Sequence, residues 1–357
     1  RSGGTRHFEV LLMAHPLNLI WAQFLICAAL IGIAGYQLSR YAEVIAQRTG
    51  LSGSWIGLAL LATVTSLPEL ATGITSVTVA NAPNLAVGDA LGSCVVNLVF
   101  LVVIDFLYRQ EPVWHRASQG HVLAGAFGVV MLGFTLVGLL MGQVRPPQDL
   151  ATTPDAMQLG FGLTTPILMV LYLVAMRTVF AYERDHTRVD AAEVAPSLPT
   201  LRNAITRFAL AASVVAGAGI WLPFVATDLA NAMGWNKSFV GSLFVAMATS
   251  LPELAVTLSA LRMGALDMAI GNLLGSNLFN VLIIAVDDLF YRPGSLLAAV
   301  SPVHAVTVGS AITMTGLAMV GLFFRPGGRV LRAISWVSLG LMAMYLLNTS
   351  VLYLYGE

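Results

Sequence analysis

Two stretches of this sequence carry the same seven residues in apolar surroundings: Thr65-Ser66-Leu67-Pro68-Glu69-Leu70-Ala71 and Thr249-Ser250-Leu251-Pro252-Glu253-Leu254-Ala255. Each combines two hydroxyls, a helix-breaking proline and a carboxylate. Proline has no N–H for the carbonyl four residues back, and its ring crowds that carbonyl. Pro68 therefore frees the carbonyl of Val64 and pushes Leu67 out of the helical region, and Pro252 does the same to Ala248 and Leu251. Thr65 and Glu69 are four apart and stack on one helix face, with Ser66 about 100° round. Freed carbonyls inside a membrane are tolerated only where they face protein, water or a bound cation. Hydroxyl, carbonyl and carboxylate oxygens converge in each copy.

A second repeated pattern follows each motif. Gly88, Gly92, Ser93 and Asn97 recur at a fixed offset as Gly271, Gly275, Ser276 and Asn280. Ser93 with Asn97, and Ser276 with Asn280, share a helix face. The glycine pairs are i,i+4 small residues that let helices approach closely, and packing is their expected role. A proline alone reads as an ordinary kink, and Thr or Ser alone as helix-packing hydroxyls. The glutamates tip the balance, because an ionisable side chain near the bilayer centre costs at least about 2.5 kcal/mol, and this chain carries that cost at two equivalent positions. The set is oxygen only, which suits a hard cation such as Ca²⁺ with its six to eight oxygen ligands and not Zn or Cu, which call for His or Cys.

Such residues need a membrane to position them, and the composition supplies one. The chain has 357 residues, 57% hydrophobic and only 10% charged, with zero net charge and a mean hydropathy of +0.81. That excludes a soluble globule, which could not cover its surface with so few charges, and a disordered chain, which could not be so apolar. There is no basic stripe for nucleic acid. Cys27 and Cys94 both lie in apolar runs and form neither a disulfide framework nor a metal motif.

About ten runs are long enough to span a bilayer, near residues 17–38, 52–79, 84–107, 120–142, 157–181, 204–230, 237–261, 267–290, 300–323 and 331–354. The first has no signal-peptide cleavage pattern and counts as a mature helix. The opening Arg1-Ser2-Gly3-Gly4 reads as a cloning remnant. The expected organisation is an N-terminal tail (1–16), a first five-helix half (17–181) with a repeat at 50–109, a linker (182–203), and a second five-helix half (204–357) with a repeat at 234–292. Thirteen of the 18 basic residues fall in connections that are inside if the N-terminus is outside, so the positive-inside rule predicts both termini outside and the linker cytoplasmic. An odd number of crossings per half inserts the second copy upside down. The result is an all-α integral membrane protein of two inverted repeats, the arrangement of secondary transporters with a midplane site.

At these residues the sequence resembles the cation/Ca²⁺ antiporter superfamily, and within it the prokaryotic sodium/calcium exchangers. The resemblance covers nearly the whole chain and rests on Thr-Ser-Leu-Pro-Glu-Leu with a downstream Gly-Ser-x-x-x-Asn, present twice. It implies that Glu69 and Glu253 bind Ca²⁺ with Thr65, Thr249 and the carbonyls of Ala62 and Ala246. It further implies that Ser66, Ser250, Ser93, Asn97, Ser276 and Asn280 flank them at positions where the same glutamates meet the counter-ion. The activity implied is antiport of Ca²⁺ against Na⁺ by alternating access in the inner membrane, with no cofactor and no nucleic-acid partner. A monomer is compatible with it. Relatives often carry Asp where this chain has Asn280, which leaves two carboxylates where three are expected and puts a three-Na⁺ stoichiometry in doubt. A Ca²⁺/H⁺ exchanger of the same superfamily is the alternative, and an uncoupled Ca²⁺ channel or sensor a further one. An intramembrane enzyme finds no support: there is no His-Glu-x-x-His, no paired catalytic Asp motif and no Ser/His pairing. Asp105, Asp287 and Asp288, near helix ends, are expected to make interfacial pairs. Asp89 and Asn272 occupy equivalent places beside the first glycines and fit either packing or the site.

Overall fold

The computed structural model describes residues 16–49, 61–108, 113–118, 120–144, 162–186, 199–327 and 334–356. The N-terminal tail to residue 15, the start of the second crossing at 50–60 and most of the linker, 187–198, lie outside the described residues. Within them the chain is helical. The helices are α1 (Leu17–Arg48), α2 (Ala62–Thr65), α3 (Leu67–Thr78), α4 (Pro83–Leu107), α5 (Gly120–Val144), α6 (Thr164–His186), α7 (Leu201–Met233), α8 (Ala246–Thr249), α9 (Leu251–Arg262), α10 (Leu266–Phe290), α11 (His304–Phe324) and α12 (Trp336–Tyr355). Eight of these, α1, α4 to α7 and α10 to α12, are long and apolar enough to span a membrane. Lys237–Thr249 and Leu251–Arg262 together make a ninth span, bent by 43° at Ser250. α2 and α3 are the described part of the second crossing.

The outer helices run longer than their apolar cores predict. α1 continues ten residues past 38 to Arg48, because Gln37, Arg40 and Glu43 sustain a helix in water as well as in lipid. α6 likewise continues to His186. α7 is fixed at both ends, by the Thr200 side chain accepting from the amide of Asn203 and by Gly234 in the left-handed conformation, φ 66°.

Burial sorts the helices into layers. The most apolar stretches of α4 and α10 are 78% and 83% buried, against 22% in α1 and 28% in α6 and α12. α4 and α10 are thus the central pair, apolar all round, and the others face lipid on one side. They meet at equivalent positions of the repeat: Asn277 Nδ2 donates to the Cys94 carbonyl (3.1 Å) and Asn97 Nδ2 donates to Asn277 Oδ1 (3.0 Å).

Close packing holds the broken crossings against this pair. A methyl group at Gly92 would lie 2.4 Å from the Ser242 carbonyl oxygen, and one at Gly88 3.1 Å from the Ser242 amide nitrogen. Both glycines lie against the turn of π-helix at Val240–Val245; Gly271 and Gly275 are buried in α10. α1 rides on the second break, where a methyl at Gly35 would meet Pro252 Cγ at 2.3 Å, and α7 on the first, where a methyl at Gly219 would meet the Pro68 carbonyl at 3.1 Å.

Among the described residues the aspartates at the ends of the central helices have no ion-pair partner, and two of them bind uncharged groups instead. Asp105 Oδ2 accepts from the Ser335 amide (2.7 Å) and the Ser338 hydroxyl (2.6 Å). Asp288 accepts from the amide of Gly162 (2.7 Å) and from the Thr165 hydroxyl. Each caps the N-terminus of the last helix of the opposite half, where unpaired amides and a positive helix end favour a carboxylate over a distant cation.

Replacing Gly92 by Val is expected to destabilise the protein by about 1–3 kcal/mol, since the obstacle is backbone and cannot rotate away. Thermal unfolding in detergent should show the loss, with Gly133→Ala, where nothing lies within 4 Å, as the neutral comparison.

Candidate cation site

Each Ser-Leu-Pro-Glu segment stops one helix and starts another. Ser66 and Ser250 leave the helical conformation (φ −87°, ψ 14° and φ −83°, ψ 7°), and the proline sits in the first turn of the helix that follows. Glu69 and Glu253 thereby lie in the first turn of α3 and α9, the positive end of each helix dipole, inside the membrane.

The two segments exchange bonds. Ser66 Oγ donates to Glu253 Oε1 at 3.0 Å, and Ser250 Oγ donates to Glu69 Oε1 at 3.2 Å. The serine of each motif serves the glutamate of the other. The flanking hydroxyls repeat the pattern: Thr65 Oγ1 and Ser276 Oγ are 3.2 Å apart, Ser93 Oγ and Thr249 Oγ1 3.5 Å apart, and Ser93 Oγ also donates to Glu69 Oε1 at 3.4 Å. All of these side chains, with Asn97 and Asn280, are fully buried.

The oxygens that remain are those a cation would use. Among the described residues, Glu69 Oε2, Glu253 Oε2, Asn97 Oδ1 and Asn280 Oδ1 have no hydrogen-bond partner, nor has Asn280 Nδ2. Uncompensated buried polar atoms each cost on the order of 1–3 kcal/mol, and more when charged. The carbonyls of Ala62 and Ala246 each accept from the serine amide four residues on, at 3.2 and 3.0 Å, and from the threonine hydroxyl of the same motif, Thr65 at 3.2 Å and Thr249 at 3.3 Å, so each opens to another partner only when that hydroxyl turns elsewhere. Among the described residues no three His, Cys, Asp or Glu side chains are grouped to hold a metal unaided. Hydroxyl, amide and carbonyl oxygens must complete any coordination shell.

The sequence did not decide Asp89. Its carboxylate is buried, and Oδ1 lies 2.8 Å from Thr249 Oγ1, the shortest of the contacts open to that hydroxyl. Asp89 Oδ2 has no partner. A chain of hydroxyls, Thr249 then Ser93, links Asp89 to Glu69. Its repeat equivalent, Asn272, is also buried, with neither polar atom paired. The signal was in the sequence, as an acid on one side of a repeat and its amide on the other. Only packing against the seventh crossing reveals where the acid lies.

The exchanged bonds predict a pattern of coupling. In double-mutant cycles read by thermal unfolding, Ser66→Ala should couple to Glu253→Gln by about 1 kcal/mol or more, and Ser250→Ala likewise to Glu69→Gln. Ser66→Ala with Glu69→Gln, from the same motif, should be closer to additive.

Comparison with known proteins places this arrangement. Across 94% of the chain the fold matches that of the sodium-calcium exchanger NCX_Mj, with a TM-score of 0.59, 22% identity and 99% of that chain covered. It matches an H⁺/Ca²⁺ exchanger, CAX, over 96% of this chain and 83% of that one, with a TM-score of 0.69 and 16% identity. Among curated proteins, the putative antiporter CaxA of Alkalimonas amylolytica is 30% identical over 265 residues, 72% of this chain and 76% of its own. The inner membrane protein YrbG of Escherichia coli is 27% identical over 258 residues, 71% and 74% of the two chains. The sodium/calcium exchanger MaX1 of Methanosarcina acetivorans is 37% identical over 125 residues, 35% of this chain and 33% of its own. The family pattern described as sodium/calcium exchanger protein matches residues 19–180 and 203–351, both halves of the repeat, and the chain belongs to that family of membrane transporters.

Proposed function

We propose that the chain exchanges Ca²⁺ for Na⁺ across the membrane by alternating access at a midplane site built on Glu69 and Glu253. The observation that carries this is the pair of buried glutamates held crosswise by Ser66 and Ser250, with a free oxygen on each. Thr65, Thr249 and the carbonyls of Ala62 and Ala246 complete the Ca²⁺ shell. Ser66, Ser250, Ser93, Asn97, Ser276 and Asn280 hold Na⁺ between and beside the glutamates. The repeats at 50–109 and 234–292 carry the site, the linker at 182–203 is cytoplasmic, and both termini are outside. CaxA, named a putative antiporter, and MaX1, named a sodium/calcium exchanger, support the activity. The name of YrbG supports the inner membrane.

Ca²⁺ and Na⁺ compete for the same carboxylates. An empty site would leave like charges facing one another in a medium of low dielectric, which opposes movement of the empty carrier. Occupancy by either ion relieves that opposition, and exchange becomes obligatory. The fold likeness to the H⁺/Ca²⁺ exchanger CAX favours a second reading, with H⁺ as the counter-ion. Na⁺ is preferred because a proton needs only a carboxylate, whereas a dehydrated metal ion needs the neutral oxygens of Asn97, Asn280 and the four hydroxyls around them. Asp89, joined to the site through Thr249, supplies the third negative charge that Asn280 does not.

In proteoliposomes, Glu69→Gln and Glu253→Gln should each abolish Ca²⁺ uptake driven by an outward Na⁺ gradient. Uptake driven equally well by a pH gradient alone would replace Na⁺ by H⁺. Asp89→Asn should lower the number of Na⁺ exchanged per Ca²⁺, measured from the reversal potential, and adding Asn280→Asp should restore it. An unchanged ratio in Asp89→Asn would remove Asp89 from the charge count.

A further inference from the structure

Asp287 is a carboxylate within the bilayer that the exchange site does not use. It lies on α10, eleven residues beyond Ser276 and seven beyond Asn280, spacings that keep all three on one helix stripe. That stripe faces α3, where a methyl group at Gly73 would lie 2.3 Å from Asp287 Oδ2 and 2.7 Å from Oδ1. Asp287 is fully buried and neither carboxylate oxygen has a hydrogen-bond partner. Its neighbour Asp288 is satisfied by the Gly162 and Leu296 amides and the Thr165 hydroxyl. Gly73 is one turn, about 6 Å, along α3 from Glu69. One turn further on the same stripe, Ser76 is also fully buried with its hydroxyl unpartnered.

The repeat provides its own comparison. The positions equivalent to Gly73, Ser76 and Asp287 in the other half are Thr257, Ala260 and Ile104, all buried. The scaffold therefore closes that place with an isoleucine when nothing else is asked of it. At Asp287 it instead bears a fully buried acid without a hydrogen bond among the described residues, and it leaves out the Gly73 side chain that would shut the acid out.

We propose that Asp287 and Ser76 form a second, off-centre site for a monovalent cation, one helical turn from Glu69 on the side where α10 ends and absent from the other side. One carboxylate balances one monovalent charge, and one acid with one hydroxyl falls far short of the six to eight oxygens Ca²⁺ takes. The site holds a counter-ion next to the exchange site on one face only, so that loading from that face differs from loading from the other. This rests on the exchanger reading.

The test is equilibrium binding of ²²Na⁺ to the purified full chain in Ca²⁺-free detergent. Asp287→Asn and Asp287→Ile, the second borrowing the residue of the other half, should each bind one Na⁺ fewer per chain than the unmodified protein. Glu69→Gln with Glu253→Gln should retain the Na⁺ at Asp287. If either Asp287 variant binds the full number with unchanged affinity, the acid is a structural burden and the proposal is wrong. If the Glu variant binds and transports normally, the exchanger reading fails while the Asp287 count still stands. Should the Asp287 variants not fold, Ser76→Ala decides: about tenfold weaker binding of one Na⁺ is expected, and no change overturns the site.

Discussion

A carboxylate at the centre of a bilayer must find donors or a cation, because water is absent and desolvation is expensive. The rest of the architecture follows from meeting that demand twice. Two crossings break where a helix N-terminus is needed, since only a broken helix presents amides and a positive dipole end at that depth. The breaks are covered by α1 and α7, which approach closely because Gly35 and Gly219 have no side chains. The two most buried helices, α4 and α10, fill the centre and bring the Ser93 hydroxyl to Glu69 and the Ser276 hydroxyl to Thr65.

The symmetry of the scaffold makes its exceptions readable. Backbone, breaks and hydroxyls recur in both halves, so the geometry of the site is duplicated. Beyond the paired glutamates and the two capping aspartates, the polar residues of the central helices are not all duplicated. Asp89 faces Asn272 across the repeat, Cys94 faces Asn277, and Ile104 faces Asp287. A protein that must present the same site to two different aqueous phases can keep its mechanics symmetrical and place its selectivity in such differences. The Cys94 and Asn277 exception is structural. At the crossing of α4 and α10, Asn277 donates to the Cys94 carbonyl and accepts from Asn97, and the Cys94 thiol reaches the Asn277 carbonyl at 3.7 Å.

Much of this was legible in the sequence because the relevant signals are local. Proline, hydroxyl and glutamate within five residues specify a broken helix with oxygens on one face. The small-residue spacing at Gly88 and Gly92 specifies close contact. Helix ends were less legible: α1 reaches Arg48 because polar residues extend a helix that apolar counting stops at 38. The caps made by Asp105 and Asp288 are not legible either, since most of their partners are amides and hydroxyls more than a hundred residues away that carry no charge to notice. The crosswise pairing of Ser66 with Glu253 could not be read at all, because each serine also stands three residues before a glutamate of its own motif, and only the relative placement of the two breaks decides between them.

Those two capping aspartates bear on how the protein is made. The start of α6 is tied by Asp288, 126 positions later in the chain, and the start of α12 by Asp105, 230 positions earlier. When the first half leaves the ribosome, α6 has no cap, and its first amides must stay hydrated at the membrane surface until α10 has been threaded. α12, by contrast, arrives to find its anchor already in place. Insertion is therefore not two repeats of one event: α6 waits for the second half to supply its anchor, whereas α12 docks onto one that the first half already holds.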